Sequence, residues 1–154
     1  MLRNQFLSIA LFAAITASAA SQSAVAQTNA QPTAQDVQQN QKMAQAALQV
    51  ALLVDQHKVG EVWDGASLIA KQLVTRDAFV RQISADRQAL GALLSRSVSG
   101  VTYRQSAGGQ IPQGSYANVA FATRFANTKQ SVRELISFHL DNDHVWRVSG
   151  YSLR

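Results

Sequence analysis

The densest group of side chains that could do chemistry is the stretch His139-Leu140-Asp141-Asn142-Asp143-His144. Imidazole and carboxylate groups both bind divalent metal ions. The spacing does not fit a calcium loop, because the sixth position lacks glycine and Ser152 stands where the bidentate glutamate belongs. Asparagine and aspartate are also the residues that favour turns. We therefore interpret the stretch as a polar hairpin turn and predict no metal site.

Glu134 is the second candidate, because strand alternation places this carboxylate on the apolar face of a predicted sheet. A carboxyl group inside an apolar cavity could serve as the acid or base of an isomerase or dehydratase. The predicted neighbours across the sheet are Thr123 and Ser152, two short polar residues that indicate a hydrated rim. We therefore assign no catalytic residue, and Glu134 is the weak candidate of an alternative, enzymatic interpretation. A solvated Glu134 also predicts that Glu134→Gln leaves folding nearly unchanged.

Other catalytic classes have no support in the sequence. No G-x-S-x-G motif occurs, and Gly65-Ala66-Ser67 falls inside a predicted helix instead of a strand-to-helix elbow. No HExxH zinc motif and no glycine-rich phosphate loop are found. The chain has no cysteine, which excludes thiolate chemistry and disulfide scaffolds. We predict no cofactor.

Length and charge limit the class of protein. The chain has 154 residues, which suggests one domain. Hydrophobic residues make up 47% and charged residues 15%, a balance that excludes a disordered polyelectrolyte. Lysine and arginine number 14 against 9 acidic residues, but no two basic residues are adjacent. Nucleic-acid binders usually cluster them, so we expect no nucleic-acid partner.

The N-terminus has the features of a secretory signal peptide. Arg3 precedes the apolar run 6–15, and Ala24-Val25-Ala26 forms an A-x-A cleavage pattern. The apolar run is about half of the ~20 residues that a membrane-spanning helix needs. The sequence predicts a signal peptide over 1–26, a flexible leader over 27–33 and a single domain over 34–154. It also predicts a periplasmic or secreted location, with no membrane span after cleavage.

Three helices are predicted in the first half of that domain. The capping-box spacing of Thr33-Ala34-Gln35-Asp36 indicates a helix from 34 to about 55, and His57-Lys58 indicates a break after it. A single apolar stripe with a 3.6-residue period predicts a second helix over 59–73. Thr75 is a good N-cap for a third, which Gly91 would end.

Beyond Gly91 the apolar period changes to two, which predicts four strands. The alternation of the first strand slips at Ser99-Gly100 and indicates a bulge. The parity of the following turns predicts that Phe121 lies opposite Ile136 and Phe138 opposite Val148. The expected fold is α+β, with three N-terminal helices packed on a curved, cone-like, four-stranded antiparallel sheet.

Several short stretches, taken in order, resemble a bacterial secreted family known as domain of unknown function 4019. They are Arg87–Gly91, Ser95-Arg96, Gly114–Tyr116, Phe125–Asn127 and Trp146–Tyr151. The family is similar in turn to the nuclear transport factor 2-like cone fold, which hosts steroid isomerases, dehydratases and non-catalytic binding or dimerisation modules. The resemblance implies that fold and brings no catalytic residues with it. One departure is His57, which stands where the helix turn usually has glycine.

The sequence therefore favours a non-enzymatic module that binds a small apolar ligand or a protein partner. The alternative is a small isomerase- or dehydratase-like enzyme that uses Glu134. The candidate pocket residues are Trp63, Tyr103, Phe121, Glu134 and Trp146. On the opposite sheet face we expect Leu135, Tyr151 and Leu153 to form an apolar patch for a homodimer.

Overall fold

The computed structural model describes residues 31–154, of which Pro32–Arg154 form one compact unit. The predicted signal peptide and most of the predicted leader lie outside the described residues. In chain order the helices are α1 (Ala34–Asp55), α2 (Val59–Asp64), α3 (Leu68–Leu73) and α4 (Arg76–Ala89). The strands are β1 (Leu93–Ser106), β2 (Gly114–Phe125), β3 (Val132–Leu140) and β4 (Trp146–Leu153). None of the described helices is both long and apolar enough to cross a membrane.

Helix α1 begins with the predicted capping box. The Thr33 hydroxyl accepts the Asp36 backbone N–H, and the Asp36 carboxylate accepts the Thr33 backbone N–H at 2.9 Å. These bonds satisfy amide groups that have no partner within the first turn of a helix. The prediction for this end of the helix is confirmed.

The end of α1 explains the break that His57 indicates. The His57 N–H donates to the Val54 carbonyl and the Lys58 N–H to the Leu53 carbonyl. This pair of bonds is a Schellman motif, which places one residue in the left-handed region. His57 occupies that position with φ 61°. A residue with a Cβ therefore stands where the geometry favours glycine.

The predicted second helix is divided into α2 and α3, so there are four helices instead of three. Gly65 follows α2 directly, and the Ser67 side chain caps α3 by accepting the Ile69 N–H. The Ser67 N–H donates to the Val148 carbonyl on β4 at 2.8 Å. This hydrogen bond to the sheet edge takes the place of one turn of helix. The period of the apolar residues does not indicate such an interruption.

The sheet is an antiparallel meander in the order β1-β2-β3-β4. The bulge predicted near Ser99 is present as a register shift between Val98 and Gly100. Turn parity is as predicted, and Phe138 lies opposite Val148. The β2–β3 register is wrong by two residues, because Val119 and not Phe121 lies opposite Ile136.

A tie to α4 accounts for this shift. The Asn127 N–H donates to the Leu90 carbonyl, and the Asn127 amide donates to the Ala89 carbonyl at 3.1 Å. The Ala126 N–H donates to Ala92. The chain after β2 therefore stays with the end of α4 instead of pairing with β3. A two-residue shift keeps every side chain on its face, so the apolar pattern does not distinguish the two registers.

A second irregularity lies in β4 and overturns the predicted dimer patch. Ser137 pairs with Gly150 but Phe138 pairs with Val148, so one extra β4 residue is inserted. An extra residue reverses the alternation of the side chains that follow. Tyr151 and Leu153 therefore lie opposite Ile136 and Glu134, on the sheet face that carries the core.

Leu135 pairs with Ala120 and Ser152 and is left on the other face. The three residues of the predicted patch thus lie on two faces. The core itself fills the space between the helices and the inner sheet face. Its largest fully buried apolar members on the strands are Val119, Phe121, Phe125 and Ile136.

Candidate functional site

A network of buried charges surrounds Glu134. The side chain of Glu134 is completely buried. Its carboxylate accepts two hydrogen bonds from Arg96, at 2.6 Å from Nε and 3.2 Å from Nη2. The hydroxyls of Thr123 and Tyr151 donate to it at 2.7 Å and 2.6 Å. Four donors therefore occupy the two carboxylate oxygens, which is the arrangement a buried carboxylate requires.

The network continues to α1 and α4. Arg96 donates to Asp55 at 2.8 Å through Nη1, and Arg87 donates to Asp55 at 2.9 Å through Nε. Arg87 also donates to the Gly91 carbonyl at 2.6 Å, and its guanidinium lies 4.5 Å from the centre of the Phe125 ring. Two arginines thus face two carboxylates and the formal charges balance. We call the side chains of Asp55, Arg87, Arg96, Thr123, Glu134 and Tyr151 the ionic network.

Two members of the ionic network, Arg96 and Tyr151, have raised pKa values. Burial disfavours the charged form of Arg96, but hydrogen bonds to Asp55 and Glu134 outweigh it and raise the Arg96 pKa. Burial raises the pKa of the Tyr151 hydroxyl, and the charge and hydrogen bond of Glu134 raise it further. Tyr151 therefore stays protonated and acts as a donor at neutral pH.

This geometry corrects the expectation of a hydrated Glu134. Its Cα partners are Phe121 and Leu153, not Thr123 and Ser152, although the Thr123 hydroxyl reaches it diagonally. The carboxylate has no free oxygen lone pair directed at a cavity that would let it act as an acid or base. The position of Glu134 at the start of β3 suggested contact with solvent. Instead, hydrogen-bond partners from β1, β2 and β4 surround its carboxylate.

Sequence reasoning missed Asp55, Arg87 and Arg96. Two signals could have found Arg96. It pairs with Thr123 and so shares the face of Glu134, and a glutamate on an apolar face requires a cationic partner. Arg87 and Arg96 also lie within two of the stretches on which the family resemblance rests.

A cleft lies beside the ionic network, between α3, α4 and β4. Its volume is about 230 Å³. The apolar walls come from Ala70, Val74, Ala78, Phe79, Ile83 and the Tyr151 ring, and the remaining lining residues are Gln82, Ser149 and Gly150. None of these lining residues carries a charge. We call this cavity the helix–sheet cleft.

A second polar cluster joins α3 to the turn between β3 and β4. The Ser67 hydroxyl donates to Asp141 at 2.7 Å, and the His139 Nδ1 lies 2.8 Å from the same oxygen. Arg147 donates to Asp141 at 3.1 Å and bonds Asp143 through both Nη atoms. The cluster lines a cavity of about 570 Å³ that also contacts α2 and α3.

This cluster is not a hydrolytic triad, since the Ser67 hydroxyl donates to the carboxylate and lies 3.5 Å from the histidine nitrogen. Burial opposes ionisation of Asp141, but bonds from Ser67, His139 and Arg147 outweigh it and lower the Asp141 pKa. Among residues 31–154, no group of three or more histidines and carboxylates is arranged to hold a metal ion. The arrangement fastens the α3 N-terminus to the sheet.

The predicted pocket residues do not gather around one cavity. The Tyr103 and Trp146 rings meet edge to face with centroids 6.2 Å apart, and both line a groove of about 360 Å³. Phe121 is buried in the core, and Glu134 belongs to the ionic network. Trp63 is half-buried, with the Lys71 ammonium 5.1 Å from its ring centre. Trp146 packs on the core but is only partly buried.

The comparison with protein families matches residues 46–151 to the family described as a protein of unknown function, DUF4019. The chain belongs to this family. The DUF4019 match covers all of the ionic network and both cavity-lining segments of α3 and β4. No curated protein and no solved structure matches the chain. The family description names no activity, so a function for this DUF4019 chain has to rest on the geometry of its sites.

Proposed function

We propose that the protein is a non-enzymatic module that binds a small apolar ligand in the helix–sheet cleft. The observation that carries this proposal is the uncharged lining of the cleft. Ala70 and Ala78 leave space that larger side chains would fill. Because the Tyr151 hydroxyl donates to Glu134, Tyr151 contributes its ring to the lining of the cleft and not a free hydroxyl.

The size of the cleft defines the class of ligand. An apolar cavity of ~150 Å³ is known to hold benzene. The cleft, at about 230 Å³, is larger. A substituted aromatic or branched alkyl group therefore fits it. Apolar walls with a few polar groups at the rim are typical of small-molecule sites.

The cavity beside Asp141 is a poorer match to such a ligand. Its lining includes Asp64, Lys71, Asp143 and Arg147. An apolar group placed there would take charged side chains out of water, which costs free energy even when the charges are paired. The carboxylates of this wall are already paired, Asp64 with Arg76 and both Asp141 and Asp143 with Arg147, so they are not available to a cationic ligand.

The ionic network also favours a module over an enzyme. A general acid or base must reach the proton that it transfers. The Glu134 carboxylate is covered by Arg96, Thr123 and Tyr151. We propose that this carboxylate holds the sheet to the helices and takes no part in chemistry.

A titration monitored by NMR tests the binding proposal. We expect toluene, and not benzoate, to shift the amide signals of Ala78, Phe79 and Tyr151, because the cleft contains no cation. Ala78→Leu fills the cleft and should abolish the shifts. Ala85→Leu, on an exposed part of the same helix, is the matched control and should leave them unchanged. Toluene shifts that persist in Ala78→Leu, or that are absent in the wild-type protein, would refute the proposal.

We propose two further properties. The cone-like form of the sheet is supported by the bulges of β1 and β4, since bulges bend strands, and by the contact of Tyr103 on one edge strand with Trp146 on the other. Export to the periplasm or medium is supported by the signal-peptide features of the sequence. The intact mass of the exported chain should correspond to a start at Gln27, or at Ala20 if cleavage follows a second A-x-A pattern, Ala17-Ser18-Ala19. Full-length protein in the cytoplasm at steady state would contradict export.

A further inference from the structure

Exposed apolar side chains are concentrated on α1 and β1. Ten large apolar side chains are exposed in the part of the chain that the structure describes. Three of them lie on α1 and four on β1. Monomeric proteins seldom leave such side chains contiguous. The members of this set are Val37, Leu48, Leu52, Leu93, Leu94, Val98 and Tyr103.

Leu48, Leu52 and Val98 border the seam between α1 and β1. Leu48, Leu52 and Asp55 follow one side of α1 at spacings of four and three residues. Asp55 on that side reaches Arg96 of β1 at 2.8 Å. Val98 follows Arg96 by two positions and so shares its sheet face, and it is 50% exposed.

Strand β1 is an edge of the sheet. It runs over 14 residues and, among the described strands, pairs only with β2. An edge strand presents unpaired N–H and C=O groups that can accept another strand. Natural edges are usually protected by lysine, proline, an inward charge or a bulge. Strand β1 has no lysine and no proline, Arg96 is occupied by its ion pairs, and the regular stretch Ser95–Val98 lies between the two register shifts of the strand.

The other edge strand, β4, is covered by a neighbouring part of the chain. The Val148 carbonyl on β4 accepts the Ser67 N–H, and α3 packs beside the strand. The two edges thus differ in both apolar exposure and covering.

We infer that β1 pairs with β1 of a second copy of this chain, in a two-fold dimer. An antiparallel strand is self-complementary, so the same edge serves both copies. A two-fold axis at Ser97 sets Ser97 opposite itself and Arg96 opposite Val98 of the other copy. Residues that face each other in this register share a sheet face, so the helices of both copies lie on one side of a joined eight-stranded sheet.

The exposed leucines select a second copy over a lone peptide strand. An added peptide would satisfy the β1 backbone but would leave Leu48 and Leu52 in water. A second copy brings its own α1 to the same side of the joined sheet. Its helix then covers Leu48 and Leu52 while its β1 pairs with the strand edge. The two Arg96 side chains lie diagonally across the axis, but each is already paired with Asp55 and Glu134 of its own copy. Arg104 lies seven positions from the axis at Ser97, so the two copies carry it at opposite ends.

Sedimentation of the purified chain tests this surface. The wild-type protein should sediment with twice the monomer mass, and Val98→Lys should halve that mass because each substitution enters the interface twice. Leu73→Lys is the matched control, since Leu73 is 70% exposed on α3, away from the seam. It should stay dimeric. Circular dichroism checks that both variants are folded.

Cross-linking gives a second measurement that does not depend on a destabilised variant. The chain has no cysteine, so Ser97→Cys introduces one thiol per copy. Directly opposite Cβ atoms in an antiparallel pair are ~4.5–5.5 Å apart, close to disulfide reach. Ser97→Cys should form a covalent dimer on oxidation, and Ser131→Cys, in an exposed position before β3, should not. Wild-type protein that remains a monomer at millimolar concentration, or equal cross-linking of the two variants, overturns the proposal and leaves the edge to an extended segment of another protein.

Discussion

Replacing Glu134 with glutamine removes the charge from a completely buried carboxylate that accepts four hydrogen bonds. The variant leaves the buried Arg96 with Asp55 alone, so the ionic network gains one uncompensated positive charge. Breaking a buried ion pair from one side costs about 3–5 kcal/mol. With a urea m-value of about 1.5 kcal/mol/M, a loss of about 4 kcal/mol lowers the unfolding midpoint by about 2–3 M.

The assay is urea unfolding followed by the fluorescence of Trp63 and Trp146. Glu61→Gln provides the control, because it makes the same chemical change in an ion pair with Lys58 at 3.6 Å whose two side chains are 51% and 58% exposed. Exposed pairs contribute about 0–1 kcal/mol. If Glu134→Gln costs no more than Glu61→Gln, the carboxylate is hydrated and our description of the ionic network is wrong.

Three further predictions follow from other contacts. Tyr151→Phe should cost about 2 kcal/mol, the usual contribution of a hydrogen bond to a charged group. Because burial and Glu134 raise the Tyr151 pKa above its ordinary 10.0, the wild-type protein should lose stability as the pH rises beyond about 10, with a smaller slope in the variant; equal slopes in alkaline urea titrations would contradict this. His57→Gly should raise the free energy of unfolding by about 0.5–1 kcal/mol, since φ 61° favours glycine; a loss in thermal denaturation would refute the strain. Trp146→Ala should cost about 2 kcal/mol, below the ~3–5 kcal/mol of a fully buried aromatic, because Trp146 is only partly buried; a loss above 4 kcal/mol in urea would mean that the side chain is buried.

The sequence predicts best those features that depend on neighbouring residues. The capping box at Thr33, the break at His57 and the bulge near Ser99 each depend on a few consecutive residues and are present. The parity of the turns is also correct, because an error of one residue would expose a whole apolar face.

Prediction failed for features that depend on contacts between residues far apart in the sequence. The β2–β3 register depends on the hydrogen bonds from Asn127 to the end of α4. A shift of two residues leaves the alternation of apolar side chains unchanged, so that alternation does not distinguish the two registers. The extra residue in β4 is Ser149, beside Gly150, and glycine inside a strand is a bulge signal that the prediction of a regular β4 overlooked. This bulge moves Tyr151 to the inner face. The ionic network joins Asp55 on α1 to Glu134 on β3 through Arg96. Its members are far apart in sequence and, apart from Glu134 on the predicted apolar face, each taken alone is an ordinary polar residue.

The central claim is that the helix–sheet cleft holds a small, uncharged apolar ligand. The most direct measurement is native mass spectrometry of the protein purified from the cells that make it, for the wild type and for Ala78→Leu. The claim predicts a non-covalent adduct on the wild-type protein whose released component is neutral and apolar, and its loss in Ala78→Leu. An adduct that Ala78→Leu retains, or a wild-type protein that carries only a charged or polar component, would contradict it.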